Sequence, residues 1–99
     1  MWFHRFAPPD KRRPVLVISR SEALEVLRTA IVAPITSTVR GLPSEVLLGA
    51  EHGLKGPSAA NLDHVQAVRQ EDLSRYIATV PLQKMAEVCR ALAVATGCD

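Results

Sequence analysis

A mainly β fold with helices as minor partners is what this sequence predicts, and three observations carry it. Short runs of apolar and β-branched residues recur at Val15-Leu16-Val17-Ile18, Ala30-Ile31-Val32-Ala33-Pro34-Ile35 and Glu45-Val46-Leu47-Leu48, each sized for a strand. Between them lie proline, glycine and hydroxyl residues of turn type, as in Ala7-Pro8-Pro9-Asp10 and Thr36-Ser37-Thr38-Val39-Arg40-Gly41-Leu42-Pro43. Only after Pro81 does the apolar spacing settle at helical intervals, through Met85, Val88, Cys89 and Leu92.

Taken in order, Met1 to Phe6 reads as a first strand with Trp2, Phe3 and Phe6 as its apolar residues, closed by the Ala7–Asp10 turn. Val15 to Ser19 is apolar at consecutive positions and is expected to be buried on both faces. Pro14 fixes its own φ and biases Arg13 toward an extended backbone. Ser19 and Glu22 have capping-box spacing, so a helix of about two turns is expected through Leu27. A strand over Ala30–Ile35 follows, then the polar loop, then a strand over Glu45–Leu48. Gly49 to Pro57 reads as an exposed loop. Ser58–Asn61, His64–Val68 and Tyr76–Val80 are further strand candidates, and Pro81 suits the first turn of the closing helix.

With 99 residues the chain is sized for a single domain with a core of Val, Leu, Ile and Ala, since 47% is apolar and only 4% aromatic. The net charge of +2 is too mild for a general nucleic-acid coat. Its distribution is uneven: residues 1–20 carry +4 and the rest −2. That excess sits beside Arg13-Pro14, where a phosphate backbone would be attracted, although the same charges suit a solvated strand edge. No signal-peptide pattern or transmembrane stretch is visible, and Cys89 and Cys98 then imply a cytoplasmic, reducing setting. His4, His52 and His64 lie far from either cysteine, so no zinc spacing exists and no metal or other cofactor is expected. Within the closing helix, Ala91-Leu92-Ala93-Val94-Ala95 is apolar all round, which points to a second surface covering it.

The Arg13-Pro14-Val15-Leu16-Val17 run followed by Val32-Ala33-Pro34-Ile35-Thr36-Ser37 resembles the paired strands of the MazF/PemK/Kid toxin endoribonucleases. The likeness continues through Leu42-Pro43-Ser44-Glu45-Val46, Ala60-Asn61-Leu62-Asp63 and the helix after Pro81, which is nearly the whole chain. It implies a small SH3-like β-barrel of the PemK/MazF type, with a short inserted helix and a C-terminal helix. It further implies metal-independent, sequence-specific cleavage of single-stranded RNA to a 2′,3′-cyclic phosphate and a 5′-hydroxyl, by the toxin of a type II toxin–antitoxin pair. An acidic antitoxin and a homodimeric state are the partners that go with it.

Such cleavage needs a base for the 2′-hydroxyl, positive charge or donors on the phosphate, and an acid for the leaving oxygen. Arg13 can hold a phosphate bidentately at any relevant pH, and the Thr36 and Ser37 hydroxyls stand just past a strand end. The resemblance assigns the active site to Arg13 and Thr36 and the base to Asp63. Asn61 stands where some members of the family carry the Arg proposed as acid, which leaves Arg13 or His64 for that role. Arg12, Arg40, Ser37, Asn61 and His64 complete the expected RNA-binding set. The loop ahead of Arg13-Pro14 is short for the family, which bears on base specificity. Two alternatives share the fold: a CcdB-like gyrase poison, against which the lack of a Trp-Gly-Ile tail argues, and a catalytically weak module that binds RNA or antitoxin.

Overall fold

The structure, a computed structural model, describes residues 1–5 and 12–98. The turn expected at Ala7–Asp10, the Phe6 end of the first strand and Lys11 lie outside the described residues.

The strands are β1 (Trp2–His4), β2 (Arg13–Val17), β3 (Thr29–Thr36), β4 (Glu45–Leu48), β5 (Ser58–Asn61), β6 (Gln66–Arg69) and β7 (Leu73–Tyr76). The helices are α1 (Ser21–Val26) and α2 (Leu82–Thr96). All pairings are antiparallel, in the order β4-β5-β3-β2-β1-β7, with β6 paired to β3. Among the described residues pairing ends at β4 on one side and β7 on the other, so the expected barrel is not closed there.

Strand β3 changes partner along its length. Thr29–Val32 pair with β6, and Ile35–Thr36 pair with β5. Pro34 falls at that hand-off, where the ladder on one side is interrupted and a missing N–H is tolerated.

The unbroken apolar run of β2 is explained by two cores. Leu16 joins Ala33, Ile35, Val46, Leu62 and Val88 in the larger cluster, over which α2 packs. Val15 points the other way, into a smaller cluster with Ala30, Val32 and Val68. Both faces are thus buried at Val15 and Leu16, as expected, while Val17 and Ile18 are half-buried.

Three local expectations give way. The Ser19–Glu22 capping box does not form, because the Ser19 hydroxyl accepts the Ile31 backbone N–H at 2.7 Å; α1 begins at Ser21 with no side-chain cap. This helix buries no residue, and Val26 is 79% exposed. Leu24 packs, partly buried, on the smaller core, and Gln70 ties down the helix end, its Nε2 donating to the carbonyls of Leu27 at 2.7 Å and Leu24 at 3.0 Å. The strand expected from His64 starts at Gln66, because Leu62–His64 form a 3₁₀ turn capped by Asn61. The strand expected over Tyr76–Val80 stops at Tyr76; Ile77 donates to the Met1 carbonyl at 2.9 Å and the chain then leaves the sheet, with Ile77, Ala78 and Val80 packed on the larger core.

Helix α2 buries Val88 and Ala91 and packs Met85, Leu92 and Ala95 on the same core. Most of the all-apolar Ala91–Ala95 segment is therefore covered by the chain's own sheet, leaving Val94 38% exposed. Gly97, at φ 72°, ends the helix, with its N–H on the Val94 carbonyl and that of Cys98 on Ala93. Among the described residues no helix is long and apolar enough to cross a membrane.

Candidate active site

The β2–β3 register pairs Val15 with Pro34, and continuing it two residues sets Arg13 opposite Thr36. Proline and the hand-off in β3 thus place a guanidinium and a hydroxyl side by side at adjacent strand ends. These two side chains form a ridge with a hollow on either side, and both line each hollow.

The larger hollow, about 560 Å³, opens between the start of β2 and the Gly53–Pro57 loop. Arg12, Ser37 and Lys55 contribute to it, and among its lining residues are three cations and no acid. The Arg12 guanidinium lies 4.4 Å from the centroid of the Phe3 ring, a cation–π contact that fixes the charge over β1. The loop opposite is turned back by Gly53 at φ 88°, where a Cβ would meet Ile77 Cγ2 at 3.2 Å. Glycine is required there on both counts.

The smaller hollow, about 190 Å³, is lined by Arg40, Glu45, Asn61 and His64 beside the ridge. Glu45 shapes the loop that carries Arg40: its carboxylate accepts the backbone N–H groups of Arg40 and Leu42, each at 3.1 Å. On the opposite wall Asn61 caps the Leu62–His64 turn, its Oδ1 accepting the Asp63 N–H at 2.9 Å and its Nδ2 standing 3.2 Å from His64 Nδ1. Thr36 Oγ1 accepts the Thr38 N–H at 3.0 Å, which leaves the hydroxyl proton to point at a ligand.

The structure therefore brings together Arg12, Arg13, Thr36, Ser37, Arg40, Asn61 and His64 around one ridge. Asp63 is the exception. Its carboxylate accepts a 2.5 Å hydrogen bond from the buried Ser44 hydroxyl, and it lines neither hollow. Glu45 and Lys55, which do line them, carried no signal in the sequence beyond Glu45 opening a strand and Lys55 lying in a glycine-rich loop. On β1, His4 is buried and is the cross-strand partner of Arg13. Burial holds its pKa below the ordinary histidine value, with nearby Asp72 opposing the shift. Among the described residues no three His, Cys, Asp or Glu side chains converge as a metal site.

The family described as "PemK-like, MazF-like toxin of type II toxin-antitoxin system" matches residues 2–96. The chain belongs to this family. It is 43% identical to the "Probable endoribonuclease MazF5" of Mycobacterium tuberculosis over 89 residues, covering 89% of this chain and 82% of that protein. Its structure matches that of the Mycobacterium tuberculosis toxin MazF-mt6 with a TM-score of 0.88 at 36% identity, covering 100% of this chain and 99% of the other. A MazE-MazF structure from Deinococcus radiodurans matches with a TM-score of 0.80 at 28% identity, over 99% of this chain and 92% of that one. In this MazF-like chain, the Arg13-Pro14 and Pro34-Ile35-Thr36 strands are the two that meet at the ridge.

Proposed function

We propose that this chain is the toxin of a type II toxin–antitoxin pair and a sequence-specific endoribonuclease that cleaves single-stranded RNA without a metal. The observation that carries the reading is the Arg13–Thr36 ridge between two hollows, which would let a strand lie across with its scissile phosphate on the ridge and a nucleotide on either side. The 2′-oxygen attacks phosphorus, the P–O5′ bond breaks, and the products are a 2′,3′-cyclic phosphate and a 5′-hydroxyl. Arg13 neutralises the non-bridging oxygens, and the Thr36 hydroxyl donates to one of them. Glu45, the carboxylate facing the smaller hollow, takes the 2′-hydroxyl proton, and O5′ takes its proton from solvent. Asp63 is given a positioning part: through Ser44 it ties the Asn61–His64 corner to β4.

Arg12 and Lys55 beside the ridge suit an acidic partner as well as RNA, so the larger hollow is assigned to both substrate and cognate antitoxin. A homodimer is part of the reading, with the exposed Val94 of α2 as apolar surface for a second copy. The free thiols of Cys89 and Cys98 suit a reducing cytoplasm. The relatives are named as endoribonucleases, which favours RNA cleavage over the gyrase-binding alternative.

Primer extension on total RNA treated with the purified protein is the test. Discrete stops at one short recurring motif are expected, with or without chelator. RNA left intact by a folded preparation would refute the nuclease and leave the binding module.

A further inference from the structure

The geometry points to His64 as a third hydrogen-bond donor to the phosphodiester, its donating nitrogen fixed as Nε2 by Asn61. This rests on the nuclease reading and gives His64, which the sequence left open between acid and RNA-contact residue, one defined role.

The argument starts at the cap of the Leu62–His64 turn. Asn61 Oδ1 is committed to the Asp63 N–H at 2.9 Å, so the amide cannot be turned round without losing that bond, and it is the NH₂ end that faces His64 Nδ1 at 3.2 Å. An NH₂ group only donates, so Nδ1 must accept, and an imidazole that accepts at Nδ1 carries its proton on Nε2. A doubly protonated ring would set two donors face to face at that contact. The charged groups around the ring are Arg13 of β2, Arg40 of the loop between β3 and β4, and Glu45 and Asp63. Both carboxylates are already engaged, Glu45 by backbone N–H groups and Asp63 by Ser44.

His64 thus meets the smaller hollow as a fixed N–H donor, alongside Arg13 and the Thr36 hydroxyl. The same device operates at Thr36, whose oxygen accepts from Thr38 and whose proton is left for the ligand. In each case a bond from behind determines what the side chain offers in front. No proton changes hands at His64; a non-bridging phosphate oxygen accepts its hydrogen bond, and the gain comes from having the donor in place before charge builds up.

The test uses the full chain labelled with ¹⁵N-histidine, read by imidazole NMR near pH 7.5, about one unit above the ordinary histidine titration, with and without a 2′-O-methyl oligoribonucleotide that cannot be cleaved. Expected are the Nε2–H form of His64, a shift of that signal on adding the oligonucleotide, and loss of the tautomer preference in Asn61→Ala. In cleavage, His64→Ala loses about tenfold or more in kcat/KM, and His64→Gln, whose amide can donate at similar reach, recovers most of that loss. An Nδ1–H or doubly protonated ring, a signal unmoved by the oligonucleotide, a Gln variant as impaired as Ala, or an Ala variant as fast as wild type would each overturn the proposal. Should the wild type cleave no RNA, the nuclease reading falls, while the tautomer and the oligonucleotide-induced shift still decide about His64.

Discussion

The two hollows flanking Arg13 and Thr36 differ in how their charge is used. In the larger one Arg12, Arg13 and Lys55 face open space with no acid among the lining residues. In the smaller one the polar side chains are tied from behind: Glu45 to two backbone N–H groups, Asn61 to Asp63, His64 to Asn61. The first arrangement attracts any polyanion; the second fixes direction. On the proposed nuclease reading, the larger side would mainly attract the substrate and the smaller side would mainly orient it.

Removing the ridge itself should do most damage, because both sides depend on it. Arg13→Ala is expected to lower cleavage by about two to three decades, the scale of removing a preorganised transition-state donor, with an unchanged melting temperature because the side chain is exposed. Near-normal cleavage would remove Arg13 from the reaction. Glu45→Gln keeps an oxygen for the loop N–H groups yet cannot take a proton, so a loss of about a hundredfold is expected, in the range for general bases. Asp63→Asn should act mainly on the melting temperature, through Ser44. If the two variants exchange these effects, the base is Asp63. Thr36→Val removes the hydroxyl at constant volume, and a loss of tens of fold is expected for one donor.

The cationic side should respond differently. Replacing Arg12 and Lys55 together by Ala should weaken binding several-fold for any sequence and flatten the salt dependence by about 0.7 in slope for each phosphate no longer neutralised. A changed cleavage motif with an unchanged salt slope would mean that these residues read bases instead.

The smallest effect is on stability and comes from buried His4 on β1. Burial lowers its pKa from 6.5 in the fold, so the unfolded chain binds the proton more readily. That contribution is complete above the ordinary histidine value and is lost as the pH falls below it. Thermal melts taken down through that range should show a decline that is smaller in His4→Gln. Parallel curves would remove His4 as the cause.

The sequence was most readable where local pattern and tertiary burial agree. The strands Glu45–Leu48 and Ser58–Asn61 lie where turn residues bracket short apolar runs. Arg13 and Thr36 are singled out by the family resemblance, and Pro14 and the strand ends account for their presentation at one edge. Misreadings arose where one group had two possible partners. The Ser19 hydroxyl could cap a helix or bind a strand N–H, and the strand won. Ile77 to Val80 had strand composition, yet burial against the larger core was available without sheet pairing. The direction of Asp63 depends on Ser44, nineteen residues away in the chain, which no local pattern encodes.

The partner change along β3 has a mechanical consequence. Arg13 stands on the leaf made with β1 and β2, while Thr36 and Asn61 stand on the leaf made with β5 and β4, and one strand passes through both. The spacing between guanidinium and hydroxyl is therefore a gauge of the angle between two leaves, set at Ala33 and Pro34. On the proposed nuclease reading, a change in that angle would alter the spacing on which cleavage depends without touching a reacting group.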